Sequence, residues 1–182
     1  VFAAACGVGE VAQIVKACNG AQIPIVAYGG GTGLVGGQVM GKEGPADMTT
    51  DELFGGKKTV LFAVPGAFTP TCSAAHLPGY VVHADTLKEK GVDNIVCMSV
   101  NDVFVMGAWG EAQNAENIIM AADGNGEFAT ALGLTMDGSG FGMGTRSQRF
   151  ALIADDGVVT HLGLEDGPGL EHSAAEAILA QL

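Results

Sequence analysis

The chain has 182 residues, enough for one domain with its own core and too few for two full ones. Eight Lys and Arg against 20 Asp and Glu give a net charge of -12, so nucleic acid and anionic membrane surfaces are poor partners, and no apolar run reaches the ~18 residues a bilayer span needs. Hydrophobic residues make up 48%, which predicts a folded, soluble globule, and the four scattered cysteines (Cys6, Cys18, Cys72, Cys97) contain no C-x-x-C pair, which argues against a disulfide-stapled secreted scaffold or a zinc site and for a reducing compartment.

The charge is unevenly spread. Residues 1–44 hold two acids, two bases and 11 of the 29 glycines, so the whole of the -12 falls on residues 45–182. This break divides the chain into a neutral, glycine-rich extension (1–44) and an acidic domain (45–182). The apolar start, Val1 to Cys6, has no basic n-region or cleavage motif and is no signal peptide; a first residue other than Met is expected of a fragment or a processed product. Val11, Ile14, Val15 and Cys18 form the stripe of a short helix ending at Asn19-Gly20. Residues 23–28 predict a buried strand that runs into Gly29-Gly30-Gly31-Thr32-Gly33, and 41–50 reads as linker. Beyond it, apolar runs at 60–64, 95–100, 150–154 and 158–162 predict buried strands. Between and after them lie predicted helices at 72–90, interrupted near Pro78, and at 102–114, 127–132 and 173–182, the last N-capped by Ser173 with Glu176 three residues on. Strands alternating with helices predict an α/β fold around a central sheet.

The segment Pro65-Gly66-Ala67-Phe68-Thr69-Pro70-Thr71-Cys72 is a turn-rich loop that delivers Cys72 to a helix start. Backbone N–H groups and the helix macrodipole stabilise a thiolate there. Thr69, one turn earlier, sets a hydroxyl beside the sulfur for a small polar ligand, and Pro65 shields it from water. An isolated cysteine is more often an inert buried one, so the surroundings must decide.

Pro65-x-x-x-Thr69-x-x-Cys72 resembles the active-site motif of the peroxiredoxins, and PGAFTPTCSAAHLPGY over 65–80 resembles their type II branch. Ser99-Val100-Asn101-Asp102-Val103-Phe104-Val105-Met106, Ala108-Trp109-Gly110 and the run from Gly144 to Leu152 extend the likeness over about 47–182. The resemblance implies a thioredoxin-like fold, a central mixed β-sheet flanked by helices, and thiol-dependent reduction of hydrogen peroxide and alkyl hydroperoxides. In that chemistry Cys72 attacks the O–O bond and becomes a sulfenic acid, Thr69 polarises the peroxide and Pro65 shields the sulfur. A cation must meet the developing negative charge. The chain has only two arginines: Arg149 matches the family's active-site arginine, and Arg146 is the secondary candidate. His76, four residues beyond Cys72, either tunes the thiolate or packs. Trp109 and Phe104 read as core, and Phe68 as an exposed loop residue at a homodimer contact.

Cys97, 25 residues beyond Cys72, stands where plant-type and bacterial members carry a second cysteine, and is either a resolving or a core residue. His172 stands where vertebrate-type members carry a late resolving cysteine. The resemblance therefore implies reduction by an external thiol, either glutathione with glutaredoxin or thioredoxin. It implies no bound cofactor, and the four histidines have no metal-ligand spacing. The cytoplasm or an organelle interior is the expected place. The alternative function is a non-catalytic thioredoxin-fold redox sensor or interaction protein.

The extension points elsewhere. Gly31-x-Gly33-x-x-Gly36 matches a dinucleotide fingerprint in form, but no helix and no acid-ended second strand follow. Glu10 to Asn19, residues 23–26 and the loop Gly29, Gly30, Gly31, Thr32, Gly33 resemble the pyrophosphate-loop region of FAD-linked oxidases of the glycolate oxidase and D-lactate dehydrogenase type. About 40 residues cannot enclose a flavin, so this is read as a vestigial fragment, with a flavin-binding module as the competing reading. Only 47–54 precede the first core strand, so an N-terminal strand or hairpin is expected to be missing and 29–41 to be mobile.

Overall fold

The computed structural model describes residues 25, 26 and 37–182, and in it the most continuously apolar stretches become the middle of one sheet. In chain order the strands are β1 (Ile25–Val26), β2 (Gly37–Gly41), β3 (Gly44–Met48), β4 (Lys58–Val64), β5 (Asn94–Ser99), β6 (Ile119–Ala122), β7 (Thr135–Asp137), β8 (Thr145–Ser147), β9 (Phe150–Asp155) and β10 (Val158–Leu164). Eight of them form a sheet in the order β1-β10-β9-β4-β5-β6-β2-β3, while β7 and β8 make a separate ribbon. β4, β5 and β6 run parallel, whereas β9, β10 and β2 join antiparallel, so the sheet is mixed as expected. Central strands covered on both faces need apolar side chains at every position, which is why β4 and β5 read as runs and do not alternate.

Helices α1 (Thr50–Phe54), α2 (Leu77–Glu89), α3 (Val103–Ala112), α4 (Glu127–Ala131) and α5 (Ala175–Leu179) cover the two faces. On one face Val60, Phe62 and Cys97 pack with Leu77, Tyr80, Trp109 and Ile178 from α2, α3 and α5. On the other, Leu61, Val96 and Leu152 meet Leu53 and Phe54 of α1 and Ala129 of α4. Phe62 and Tyr80 stack with ring centroids 3.8 Å apart, which joins β4 to α2 beneath the candidate site.

Several local expectations change. Residues 41–50 are no linker: β2 and β3 form a hairpin turned at Gly44 (φ 118), and Gln38 and Val39 of β2 extend the sheet beside Ala122 and Ala121 of β6. A hairpin thus stands where one was expected to be missing; it straddles residue 44. Thr49 then caps α1, its Oγ1 accepting from the Glu52 N–H at 3.2 Å while the Glu52 carboxylate accepts from the Thr49 N–H at 2.7 Å. The interruption predicted near Pro78 is a change of helix type and not a gap: Cys72–His76 is a π-helical turn, and the Leu77 N–H reaches back to the Cys72 carbonyl. Pro78, without an N–H, falls where this wider turn hands over to α2. Ser173 does not cap α5; it is buried and bonds to Glu165. Phe104 is 65% exposed, because α3 is apolar on nearly all sides and only its Val103, Met106, Trp109 and Gly110 face inward. The predicted helix at 11–18 and the loop Gly29–Gly33 lie outside the described residues, and of the strand at 23–28 the structure describes β1, paired with Val158 and Val159.

One close approach ties the end of the chain to the sheet. A Cβ on Gly163 of β10 would overlap the carbonyl oxygen of His172, so the loop before α5 lies flat on this strand only because residue 163 has no side chain. Gly163→Ala is expected to destabilise the fold by about 1–3 kcal/mol in urea unfolding. Gly140→Ala, where a Cβ meets nothing within 4 Å, is expected to change it by less than ~0.5 kcal/mol.

Candidate active site

β4 ends at Val64, and the loop 65–71 carries the chain from the sheet to the π turn. Its shape is fixed from both sides. The Ala67 N–H donates to Asn101 Oδ1 at 3.0 Å, and Ser99 Oγ donates to the same oxygen at 2.8 Å. The Thr69 hydroxyl donates to the Gly66 carbonyl at 2.8 Å, and the Ser73 N–H to the Thr69 carbonyl at 3.0 Å. Phe68 takes φ 60, a left-handed conformation uncommon outside glycine, which turns its side chain outward to 56% exposure. The Trp109 indole N–H donates to Ser73 Oγ at 3.0 Å and so ties α3 to the π turn.

Cys72 opens that turn and is fully buried. Arg149, the residue before β9, is 8% exposed, and its Nη2 donates to Cys72 Sγ at 3.6 Å. Its Nη1 lies 3.0 Å from His76 Nδ1. His76 Nε2 lies 2.9 Å from the Ser173 carbonyl oxygen, which can only accept; Nε2 therefore carries the proton and Nδ1 offers its lone pair to the arginine. The Tyr80 hydroxyl donates to the same carbonyl at 2.8 Å. Ser173 in turn donates its N–H and its hydroxyl to Glu165 Oε1, at 2.7 and 2.8 Å, and the Glu171 N–H joins them at 2.8 Å. Arg149 Nε is buried without a hydrogen-bond partner among the described residues.

Cys72, Arg149 and His76 therefore meet, with Thr69 and Pro65, both half-buried, in the loop leading to them. Arg146 does not reach the sulfur: its Nε and Nη1 donate to the Met143 and Val100 carbonyls, at 2.8 and 2.7 Å. His76 bonds to the arginine and packs against the rings of Phe62 and Tyr80. Cys97 is buried and free in the middle of β5, with Phe62 of β4 on one side and Met120 of β6 on the other. Sequence reasoning missed Glu165 as part of the site and took Ser173 for a cap. The available sign was a carboxylate directly after an apolar strand in a chain poor in cations.

Burial is the main cause that pushes His76 down to about 4, and the Arg149 guanidinium adds to it, so the ring is neutral near pH 7. Burial opposes ionisation of Glu165, but the hydrogen bonds from Ser173 and Glu171 outweigh it and hold its carboxyl below the usual range. Burial pushes the Cys97 thiol well up, and the neighbouring Cys72 adds to this. Among the described residues no group of three or more His, Cys, Asp or Glu is placed to hold a metal, and no helix is long and apolar enough to cross a membrane.

A histidine held neutral in the fold but free to protonate when unfolded favours the unfolded chain as pH falls. The unfolded state binds the extra proton between the ordinary pKa of 6.5 and the folded value of about 4. Stability from His76 is thus complete above pH 6.5 and lost towards pH 4, a change on the order of 3 kcal/mol. Urea unfolding across this range should slope less steeply in His76→Phe than in the unsubstituted protein.

The sequence pattern of the redoxin family matches residues 20–179. The chain is 50% identical over 138 residues to chloroplastic peroxiredoxin-2E of Arabidopsis thaliana, a match covering 74% of this chain and 59% of that protein. It is 52% identical over 147 residues to chloroplastic peroxiredoxin-2E-2 of Oryza sativa subsp. japonica, covering 76% of this chain and 65% of the other. The chain thus spans less than two thirds of the length of either relative. Among solved structures, reduced Prx3 of Vibrio vulnificus in complex with hydrogen peroxide is similar with a TM-score of 0.79 and 59% identity, covering 85% of this chain and 98% of that one. The mixed sheet flanked by helices is the thioredoxin-like fold, and the chain belongs to the redoxin family and, within it, to the peroxiredoxins.

Proposed function

We propose that this chain is a thiol peroxidase in which the Cys72 thiolate reduces hydrogen peroxide and small alkyl hydroperoxides. The observation that carries it is the Arg149 guanidinium fixed 3.6 Å from Cys72 Sγ in a buried site. The thiolate attacks one peroxide oxygen; an S–O bond forms as the O–O bond breaks. Two electrons pass from sulfur to oxygen, the leaving oxygen takes a proton and departs as water or alcohol, and Cys72 is left as the sulfenic acid. Negative charge moves from sulfur to the leaving oxygen, and a cation already in place stabilises that charge without reorganising. Arg149 Nε–H, buried and without a partner among the described residues, gains an acceptor when a peroxide oxygen enters. Thr69 has committed its hydroxyl hydrogen to Gly66, so its lone pairs accept from the hydroperoxide O–H and orient it. Pro65 limits the approach of water. The Vibrio vulnificus relative, solved with hydrogen peroxide, supports the same substrate.

The sulfenic acid is then reduced by an external thiol, which forms a mixed disulfide and releases water; a second thiol frees Cys72. Cys97 is a core residue in this scheme, because it sits inside the ladder of β4, β5 and β6 and burial keeps its thiol protonated. Glutathione with glutaredoxin, or thioredoxin, supplies the thiol in a reducing cytoplasm or organelle interior, and the exposed Phe68 loop is the contact with a second copy of the chain.

Peroxide consumption with a thiol donor should vanish in Cys72→Ser; an equal rate would leave the chain a non-catalytic sensor or interaction protein. Arg149→Met should lower the second-order rate constant about 100-fold. Intact mass after one equivalent of peroxide should show one added oxygen on Cys72, unchanged by Cys97→Ser. A loss of two hydrogens that disappears in Cys97→Ser would replace the external route with an internal disulfide.

A further inference from the structure

Arg149 is buried, yet among the described residues no carboxylate pairs with its guanidinium; the sole ion pair found there joins His83 and Glu176. Among the described residues two bonds orient the planar group, Nη2 to Cys72 Sγ and Nη1 to His76 Nδ1. A long, flexible side chain with Nη1 released could rotate away from the sulfur, so the angle at which Arg149 meets Cys72 depends on the lone pair of His76. That lone pair faces the arginine because Nε2–H is engaged by the Ser173 carbonyl. Ser173 is in turn fixed by its own N–H and hydroxyl on Glu165 Oε1.

The chain of bonds closes on itself. The Glu165 backbone N–H donates to the Arg149 carbonyl at 3.1 Å, where β10 pairs with β9. A ring thus runs from the Arg149 backbone to Glu165, through its carboxylate to Ser173, through the Ser173 carbonyl to His76, and back to the Arg149 guanidinium. Such a ring holds the tip of the arginine relative to its own main chain. We propose that Glu165 is a positioning residue which, acting through Ser173 and His76, fixes the Arg149 guanidinium against Cys72 Sγ. The proposal rests on the peroxidase reaction given above.

Peroxide and iodoacetamide both need the Cys72 thiolate, but only peroxide expels an oxygen anion that a guanidinium must meet. The ratio of the two second-order rate constants therefore reports the placement of Arg149 separately from thiolate content and folding. In Glu165→Ala the ratio should fall about tenfold or more, since a misplacement of about 1 Å caused from a distance can cost as much as about 100-fold. Glu165→Gln, which keeps an acceptor oxygen on the same stem, should bring it back to within threefold of the unsubstituted protein. His76→Phe, which keeps ring packing against Phe62 and Tyr80 and removes the bond to Arg149, should reproduce the loss without touching Glu165. A lowered melting temperature with unchanged ratios would make Glu165 an anchor of the C-terminal segment only and overturn the proposal. No reaction of peroxide at Cys72 in the unsubstituted protein would instead overturn the peroxidase reaction, and this proposal with it.

Discussion

A guanidinium buried beside a sulfur, in a chain with 20 acids and two arginines, must be kept charged and yet kept from pairing directly with a carboxylate. An uncompensated buried cation costs several kcal/mol, and a carboxylate in direct contact would compete with sulfur for the same N–H groups. The structure takes a third course. The acid, Glu165, sits beyond two neutral groups, the Ser173 carbonyl and the His76 ring, whose dipoles point their negative ends towards the cation. This works only while His76 is neutral, and burial together with the arginine itself ensures that. Nη2 is left for the sulfur.

The second requirement is a sulfur delivered to that cation. Cys72 and His76 bracket the π turn and engage the two Nη atoms of one guanidinium. In a regular α-helix, side chains four apart stand one above the other at about 5–6 Å; the wider turn changes their relative direction while both still face the core. The loop before it supplies the remaining constraint. A Cβ on Gly66 would come within 3.1 Å of Thr69 Cγ2, and Phe68 accepts a left-handed backbone to complete the turn. The side chain of Asn101, just past β5, binds both this loop and Ser99, so the ends of two neighbouring parallel strands shape one site.

What could be read from the amino acids follows the range of the interactions. Cys72, Thr69 and Pro65 share one short segment, and Arg149 is one of only two arginines, so composition alone nearly isolates it. That Arg149 and not Arg146 meets the sulfur depends on where β9 begins, and Arg146 is occupied by the Met143 and Val100 carbonyls. The β4 and β5 runs announce themselves because both faces are covered. The β2–β3 hairpin, rich in glycine and charge, has no such pattern and exists because β6 offers an open edge. Ser173 with Glu176 has the spacing of a helix cap, but Glu165, eight residues earlier, competes for the same hydroxyl from across the C-terminal loop. Local rules fail where a distant partner binds more strongly.

Cys72 and Cys97 share one core cluster and one side-chain chemistry, and both are fully buried, so the difference between them lies in the backbone that holds each. Exposing Cys97, whose side chain stands on the helix-covered face of a central strand, means lifting the helices packed there off the sheet. Exposing Cys72 means opening the first turn of a helix and its loop, held by the Thr69–Gly66, Ser73–Thr69 and Trp109–Ser73 bonds. Helix ends and loops occupy the low end of local unfolding energies, central strands the high end. In the proposed cycle, a sulfenic acid at Cys72 would therefore reach the surface by a small local opening that leaves Cys97 in place, which favours an external thiol over the second cysteine as its reductant.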